Sequence, residues 1–283
     1  MSPLRQQMIR VLELHRKSPD TIKPYVTAIA QLAQYCQRSP DQISVEEIRD
    51  FLHYLITVRK LSSSTCNQRI AAINFFYRHV LGRVDFQLKV PLKPSGRLPE
   101  PLSRSEIARL VDAATNAKHR ALMMTAYGGG LRVCELVQLR PADIHSDRML
   151  IRVNQGKGRK DRYTLLSPRL LTELRRYWLA YRPVNWLFTN RNNNGPLPRG
   201  TAQGVFDELK KRAAITHGHG IHSLRHSFAT HLMEAGVPLP TIQRLMGHTT
   251  LATTAKYLHV TSKHFEGVRS PLDLLRMPDQ DPL

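Results

Sequence analysis

Cysteine and long apolar runs are both scarce in this sequence, and each scarcity argues against a class of protein. The three cysteines, Cys36, Cys66 and Cys134, stand far apart with no CxxC pair. They indicate neither a disulfide framework nor a zinc site, and they fit a reducing compartment. No apolar run reaches the ~18 residues that a membrane span needs, and the opening MSPLRQQMIR has no apolar core of a signal peptide. We therefore expect a cytoplasmic protein without membrane attachment.

Acidic residues are also scarce. Lys and Arg number 42 against 22 Asp and Glu, a formal net charge of +20 at pH 7. Residues 1–100 carry 15 basic and 8 acidic residues, and residues 101–283 carry 27 and 14. Because both parts are basic, the excess is not a cationic tail, and it indicates a polyanionic partner such as DNA or RNA, with a location at the nucleoid. A basic surface that only keeps the protein soluble is the alternative.

A segment rich in proline divides the chain of 283 residues, which is long enough for two domains. Residues 89–100, KVPLKPSGRLPE, combine three prolines with glycine, serine and two lysines, a composition typical of an extended linker. We expect an N-terminal domain at 1–88 and a second domain at 101–283. Four amphipathic helices are predicted in the first domain, opened by Leu4, by Asp20 or Thr21, by the capping box Ser44-x-x-Glu47 and by Ser62, with Gly82 ending the last. They would form a small helical bundle.

The second domain is predicted to contain helices around one β-hairpin. Predicted helices begin at the capping box Ser103-x-x-Glu106 and near residues 118, 132, 169, 199, 222 and 241, and Thr249 or Thr250 caps a last one that carries Tyr257. Residues 148–166 alternate apolar and polar side chains around Gly156-Lys157-Gly158, as a β-hairpin does. We expect its strands to pair Met149, Ile151 and Val153 with Tyr163 and Leu165. The fold class is mainly α with a small β-hairpin or sheet.

Five short motifs carry basic or nucleophilic side chains in a fixed order. They are GLRVCEL (130–136), GKGRKDR (156–162), HSLRHSFATHL (222–232), LMGH (245–248) and TTAKYLHV (253–260). In these motifs the sequence resembles the tyrosine recombinase, or phage integrase, family, in particular its Xer-like site-specific recombinases. The resemblance covers the whole second domain and implies a mixed α+β catalytic domain of the DNA breaking-rejoining type. The N-terminal bundle is similar to the family's SAM-like core-binding domain.

The resemblance implies how the scissile phosphate is held. Arg132 and Arg225 would clamp its non-bridging oxygens and His248 would hydrogen-bond it. Glu135, one turn after Arg132, matches the family's acidic residue that steadies the active site. The chemistry asks for such groups independently, because a pentacoordinate phosphorane carries extra negative charge and guanidinium forks are the best protein donors to it.

The resemblance also implies the nucleophile and its proton transfers. Tyr257 would attack the phosphate to form a 3′-phosphotyrosyl link, His222 would help to take its proton, and Lys157 would protonate the departing 5′-oxygen. A phenol with a pKa near ~10 needs a cationic surrounding to attack at neutral pH. Cationic side chains can do the charge neutralisation of a metal, and the sequence has neither a carboxylate cluster for Mg²⁺ nor a P-loop. We expect no cofactor.

Metal binding by histidines is the alternative use of this region. Five histidines fall close together, His217, His219, His222, His226 and His231. HSLRH lacks the glutamate of the HExxH motif and no further ligand set is evident, so we expect no metal site. Taken one at a time, the candidate residues would each be interpreted as ordinary structural residues, as Tyr257, His222 and Arg132 illustrate. The order of the five motifs is what favours a catalytic role.

Two further segments are candidate DNA contacts. The hairpin tip carries Arg159, Lys160 and Arg162 besides Lys157, and the start of the fourth helix carries Ser64, Thr65, Asn67 and Arg69. The tip can enter a DNA groove or can be a solvated turn. The helix start can contact phosphates or can be only a cap.

We therefore predict a site-specific DNA recombinase that cuts and rejoins strands through Tyr257. The resemblance implies a tetramer on double-stranded DNA with inverted half-sites, and a C-terminal tail that docks on a neighbouring subunit through Phe265, Val268, Leu272 and Leu275. A type IB topoisomerase-like enzyme and a DNA-binding protein without catalysis are the alternatives. Cys134, Gly129 and Ser223 depart from common family residues, but none removes a catalytic group.

Overall fold

The computed structural model describes residues 2–90, 100–154, 161–248 and 250–255. The chain forms two compact units, Met1–Arg97 and Leu98–Leu283. The division falls within the segment 89–100 that the composition marks as a linker. No helix among the described residues is long and apolar enough to cross a membrane.

The first unit is a helical bundle. Its helices are α1 (Pro3–Leu14), α2 (Pro19–Cys36), α3 (Val45–Thr57) and α4 (Ser63–Phe75), with a 3₁₀ turn at Pro40–Gln42 and a π-helical turn at Phe76–Val80. Leu12, Leu32, Ile48, Ile73 and Tyr77 are fully buried between them. The four predicted helices are confirmed.

Local sequence signals account for most of the helix ends. Ser44 caps α3 as predicted, since its hydroxyl accepts from the Glu47 amide at 3.2 Å and the Glu47 carboxylate accepts from the Ser44 amide at 2.9 Å. The start predicted for α2 at Asp20 or Thr21 is wrong. The helix begins at Pro19, because the fixed φ of proline suits the first helical position and its missing N–H costs nothing there.

The second unit places eight helices around a small sheet, within the part of the chain that is described. The helices are α5 (Arg104–Asp112), α6 (Ala117–Gly128), α7 (Val133–Gln138), α8 (Pro168–Tyr181), α9 (Arg199–Arg212), α10 (His222–Glu234), α11 (Leu239–Met246) and α12 (Leu251–Ala255). Leu122, Leu136, Ile151, Phe206 and Leu224 form part of its buried core. The predicted capping box of Ser103 and Glu106 opens α5.

The hairpin is present, but its predicted pairing is wrong. Three antiparallel strands lie in the order β1 (Ile144–His145), β2 (Leu150–Val153) and β3 (Arg162–Leu165). Ile151 pairs with Thr164, and Arg152 pairs with Tyr163. Because side chains alternate between faces, a shift of one residue turns Tyr163 and Leu165 outward, and they are 45% and 39% exposed. Thr164 lies inside instead and donates a hydrogen bond to the Gly129 carbonyl at 2.9 Å.

The glycine run after α6 allows a close helix contact that positions the site. Gly130 has a φ of +58°, and a Cβ there would lie 2.2 Å from the Phe228 ring of α10. Only glycine fits both the left-handed backbone and this approach. The turn therefore brings the start of α7, with Arg132, against the helix that carries Arg225.

Candidate active site

Of the predicted catalytic residues and Glu135, five lie within the described chain. They are Arg132, Glu135, His222, Arg225 and His248, and they come from α10 and from the ends of α7 and α11. Lys157 and Tyr257 lie outside the described residues, as do Arg159, Lys160 and the tail residues Phe265, Val268, Leu272 and Leu275. Glu135 supplies a buried carboxylate that Arg132 and Arg225 approach.

Glu135 is the centre of this cluster. Its carboxylate accepts one hydrogen bond from the Arg132 guanidinium and two from the Arg162 guanidinium, each at 2.7 Å, and Arg225 Nη1 lies 3.8 Å away. Its side chain is only 4% exposed. Burial alone would raise the pKa of Glu135, but the hydrogen bonds and charge of Arg162 and Arg132 outweigh it and lower the pKa to about 2. The carboxylate is therefore ionised and orients three guanidinium groups at once.

Arg225 is held by backbone carbonyls as well as by charge. Nη1 donates to the Gly130 carbonyl at 2.6 Å and Nη2 to the Met246 carbonyl at 2.5 Å, and the side chain is 5% exposed. The Gly130 carbonyl lies just after the end of α6, and the Met246 carbonyl lies at the end of α11. Carbonyls at these positions have no N–H partner within their own helix. A buried guanidinium fits this place because it supplies several fixed donors to acceptors that would otherwise lack partners.

Arg132 contacts the residue that follows Met246 at the end of α11. Its amide donates to Glu135 Oε2 at 2.9 Å, while Nη2 donates to the Gly247 carbonyl at 3.1 Å. Its side chain is 19% exposed, so part of the guanidinium faces solvent. Arg132 and Arg225, about 90 residues apart in the sequence, thus both contact the end of α11.

The two predicted histidines differ in their surroundings. His222 is the first residue of α10 and is exposed. Desolvation by the surrounding protein, then the charges of Arg225 and Arg132, lower its pKa. His248 is half-buried after Gly247, and burial followed by the same two arginines and Arg162 lowers its pKa to about 4. Both imidazoles are therefore neutral at pH 7.

Arg162 does not lie where it was predicted. It belongs to β3, not to the hairpin tip, and its side chain is 9% exposed. Besides the two bonds to Glu135, its Nε donates to the Leu245 carbonyl at 3.0 Å. A Cβ on Gly247 would lie 2.7 Å from Arg162 Cδ. We correct the expected DNA contact: most of this guanidinium is occupied within the protein, because a buried carboxylate needs a bidentate partner.

The predicted DNA contacts of α4 divide into exposed and internal side chains. Ser64 and Asn67 are exposed. The Thr65 hydroxyl lies 2.9 Å from the Ser62 hydroxyl, and Arg69 Nη1 donates to the Pro24 carbonyl at 3.2 Å. Ser62 also caps α4 by accepting from the Thr65 amide at 3.3 Å. Thr65 and Arg69 therefore have structural contacts of their own.

Two residues beside the predicted groups were not among the predicted catalytic residues. His226 lies one turn after His222 on α10, and burial, then His222 and Arg225, lower its pKa to about 4. Thr254 on α12 is fully buried, and its hydroxyl lies 2.9 Å from His248 Nδ1. The spacing of four from His222 is a helical signal for His226. The sequence offers no such signal for Thr254, since its partner lies across a turn.

The arrangement as a whole suits an anion rather than a metal ion. Three guanidinium groups surround one carboxylate, which leaves positive charge in excess, and two neutral imidazoles lie beside them. Within the described residues, no group of three or more His, Cys, Asp and Glu side chains is placed to hold a metal ion. Fixed donors of this kind stabilise negative charge without the reorganisation that water would need.

Comparisons with known proteins agree with these features. The family model described as "Phage integrase family" matches residues 100–264, and the one described as "Phage integrase, N-terminal SAM-like domain" matches residues 4–84. A putative integrase/recombinase of Sinorhizobium fredii is 39% identical over 100% of this chain and 92% of its own length. Tyrosine recombinase XerA of Pyrococcus horikoshii is 32% identical over 93% of this chain and 91% of its own length.

A solved structure shows the same architecture. A lambda integrase tetramer bound to a Holliday junction matches 90% of this chain and 76% of its own with a TM-score of 0.73 at 17% identity. At that identity the likeness is one of fold alone. Together with the helices and the three-stranded sheet, it confirms the predicted fold class, mainly α with a small sheet, a SAM-like N-terminal domain and a C-terminal catalytic domain.

Proposed function

Because the chain belongs to the phage integrase family, we propose that it recombines DNA at specific sites through a covalent 3′-phosphotyrosyl intermediate on Tyr257. It is a site-specific recombinase of the tyrosine type, as its family and its relatives indicate. The covalent chemistry, the roles of single residues and the independence from metal and ATP are the finer parts of the proposal. They rest on the chemistry of the site.

The observation that supports the mechanism best is the buried Glu135 cluster. A single carboxylate orients Arg132, Arg162 and Arg225, and it neutralises only one of their three charges. In-line attack on a phosphodiester adds negative charge to the non-bridging oxygens. Donors that are already fixed stabilise this charge at no further cost in ordering, which is how such clusters lower a barrier.

The phosphate would lie against Arg132, Arg225 and His248. Arg132 keeps part of its guanidinium at the surface, where a phosphate oxygen can reach it. Arg225 lies deeper, with a side chain 5% exposed, and would contribute its fixed positive charge to the phosphate. His248 is neutral at pH 7, so it would contribute a hydrogen bond rather than a charge.

Proton transfer would involve His222, Lys157 and Tyr257. His222 is exposed and its pKa is lowered, so at pH 7 it can accept the proton that the tyrosine loses. Lys157 would protonate the leaving 5′-oxygen. The phosphotyrosyl link retains the energy of the phosphodiester, so rejoining needs no ATP, and the cationic side chains would take the charge-neutralising role of a metal ion.

Double-stranded DNA with inverted half-sites is the proposed partner, bound by four copies of the chain. The net charge of +20 supports a nucleic-acid partner, and the matching lambda integrase is described as a tetramer bound to a Holliday junction. Exposed Ser64 and Asn67, with Arg159 and Lys160, remain proposed DNA contacts, and the tail from Phe265 to Leu275 is the proposed link to a neighbouring subunit. We place this activity in the cytoplasm, at the nucleoid.

The covalent step can be tested with a nicked suicide substrate, from which a short 5′ fragment diffuses away after cleavage. The unaltered chain should accumulate a covalent DNA adduct that survives denaturation, and Tyr257→Phe should abolish the adduct while DNA binding remains. Tyr181→Phe is the matched control, because Tyr181 is an exposed tyrosine of α8.

Three outcomes would overturn the proposal. An adduct that persists in Tyr257→Phe would assign another nucleophile. DNA binding without any adduct would favour a binding protein, whereas relaxation of supercoiled DNA that lacks a specific site would favour a topoisomerase.

A further inference from the structure

The His248 side chain is linked to α12 by one hydrogen bond. Its Nδ1 lies 2.9 Å from the hydroxyl of Thr254. Thr254 is fully buried, so water does not compete for this contact. The bond spans the turn between α11 and α12, and it joins two residues that are only six apart in the sequence.

The backbone of His248 is fixed independently of Thr254. Its amide donates to the Gln243 carbonyl at 3.1 Å, and the Gln243 side-chain amide donates to the His248 carbonyl at 3.2 Å. Gly247 ends α11 in the left-handed conformation, with a φ of +60°. The main chain of His248 is therefore fixed without any contribution from Thr254.

The direction of the hydrogen bond follows from burial. A buried hydroxyl that fails to donate costs free energy. Among the described residues, the partner of the Thr254 hydroxyl is His248 Nδ1, so Thr254 donates and Nδ1 accepts. Because His248 is neutral at pH 7, its single ring proton then sits on Nε2.

We propose that Thr254 is a positioning residue that holds His248 with its proton on Nε2, so that Nε2 donates a hydrogen bond to the phosphate. The opposite tautomer would turn a nitrogen lone pair toward an anion, which repels it. This inference deepens the proposed function and rests on it, since it assumes that the phosphate faces Nε2. Partners behind a binding histidine commonly fix its tautomer in this way.

The inference predicts different results for three variants of the full chain. Thr254→Val keeps the shape but removes the hydroxyl, and Thr254→Ser keeps the hydroxyl. Thr230→Val is the control, because Thr230 is a buried threonine of α10 whose hydroxyl has no hydrogen-bond partner among the described residues. Thermal melting checks that each variant is folded.

Long-range ¹⁵N–¹H NMR spectra of the DNA-free protein report the tautomer directly, with His248→Gln used to assign the signals. We expect the Nε2-protonated form in the unaltered chain, in Thr254→Ser and in Thr230→Val, and a mixture of tautomers in Thr254→Val. Single-turnover formation of the covalent adduct should slow by roughly 10- to 100-fold in Thr254→Val only.

Two results would overturn the inference. One is an Nδ1-protonated His248 in the unaltered chain, and the other is an unchanged tautomer in folded Thr254→Val. The NMR measurement needs no DNA, so it decides the inference about the tautomer by itself. Absence of an adduct from the unaltered chain would instead overturn the proposed function.

Discussion

Two arginines of one β-hairpin form ion pairs of nearly the same length in very different surroundings. Arg162 of β3 contacts Glu135 at 2.7 Å, with side chains 9% and 4% exposed. Arg152 of β2 contacts Asp161 at 2.8 Å, with side chains 44% and 43% exposed. Water screens the second pair but not the first, so distance alone does not rank them.

The comparison shows what a buried pair contributes. Once Glu135 is buried and ionised, each of its arginines becomes necessary, because removal of a partner leaves an uncompensated charge in a poorly solvated place. The exposed pair can lose a partner to water at little cost. The buried pair therefore fixes the positions of the side chains around Glu135, whereas the exposed pair of Arg152 and Asp161 mainly adds polar surface.

The largest expected effect is that of Glu135→Ala. This change leaves three guanidinium groups without their carboxylate, and we expect a loss of roughly 3–5 kcal/mol in the free energy of unfolding. Covalent adduct formation should fall below detection. Urea unfolding and the suicide substrate measure the two effects, and a variant as stable as the unaltered chain would contradict a central role for this carboxylate.

The same carboxylate predicts a pH dependence. The pKa of Glu135 is lowered in the folded chain from 4.5 to about 2, so its stabilising contribution is complete above pH 4.5 and is lost as the pH falls toward 2. In Glu135→Gln the free energy of unfolding should no longer contain the part that falls between pH 4.5 and pH 2 as Glu135 is protonated. An acid unfolding curve of the same slope in both proteins would contradict the assignment.

Arg225→Lys should have the next largest effect. A lysine keeps the charge, but its single nitrogen cannot replace the separate Nη1 and Nη2 donors that bind the Gly130 and Met246 carbonyls in a fixed planar geometry. We expect a roughly 100- to 1,000-fold slower cleavage step, the magnitude for loss of a fixed oxyanion donor, with DNA binding largely retained. Single-turnover kinetics measure the rate of cleavage, and a near-normal rate would disprove the role of the Arg225 guanidinium.

Arg162→Lys should give a smaller but clear loss of folding stability. The substitution removes the bidentate contact with Glu135 and the bond to the Leu245 carbonyl, while it keeps the positive charge. We expect about 1–3 kcal/mol of destabilisation. Because most of the Arg162 side chain faces the protein interior, the salt dependence of DNA binding should stay unchanged. A shallower salt dependence would instead restore Arg162 as a phosphate contact.

Arg152→Lys should have the smallest effect. It is the matched substitution on the same hairpin, at an exposed pair of almost equal length, and we expect less than about 1 kcal/mol. Thermal melts of both lysine variants under the same conditions test the comparison. Equal destabilisation of the two would show that burial does not separate these ion pairs.

The local parts of the fold could be predicted from the sequence because their signals are local. The capping boxes of Ser44 and Ser103 lie where they were expected, since donor and acceptor are three residues apart. The pairing of β3 was not predictable in the same way. Tyr163 and Leu165 are more apolar than Thr164, yet Thr164 lies inside because it can donate to the Gly129 carbonyl of another element.

Motifs and short-range periodicity were enough to predict the family, the mainly helical architecture and the candidate groups. The inward turn of Arg162 to Glu135 and the contact of Thr254 with His248 followed only from the packing of the folded chain. The physical reason is the same in both cases. A buried charge or hydroxyl takes the partner that the packing of another element brings within reach, whether that element is near in the sequence or far from it, and short-range periodicity does not specify this packing.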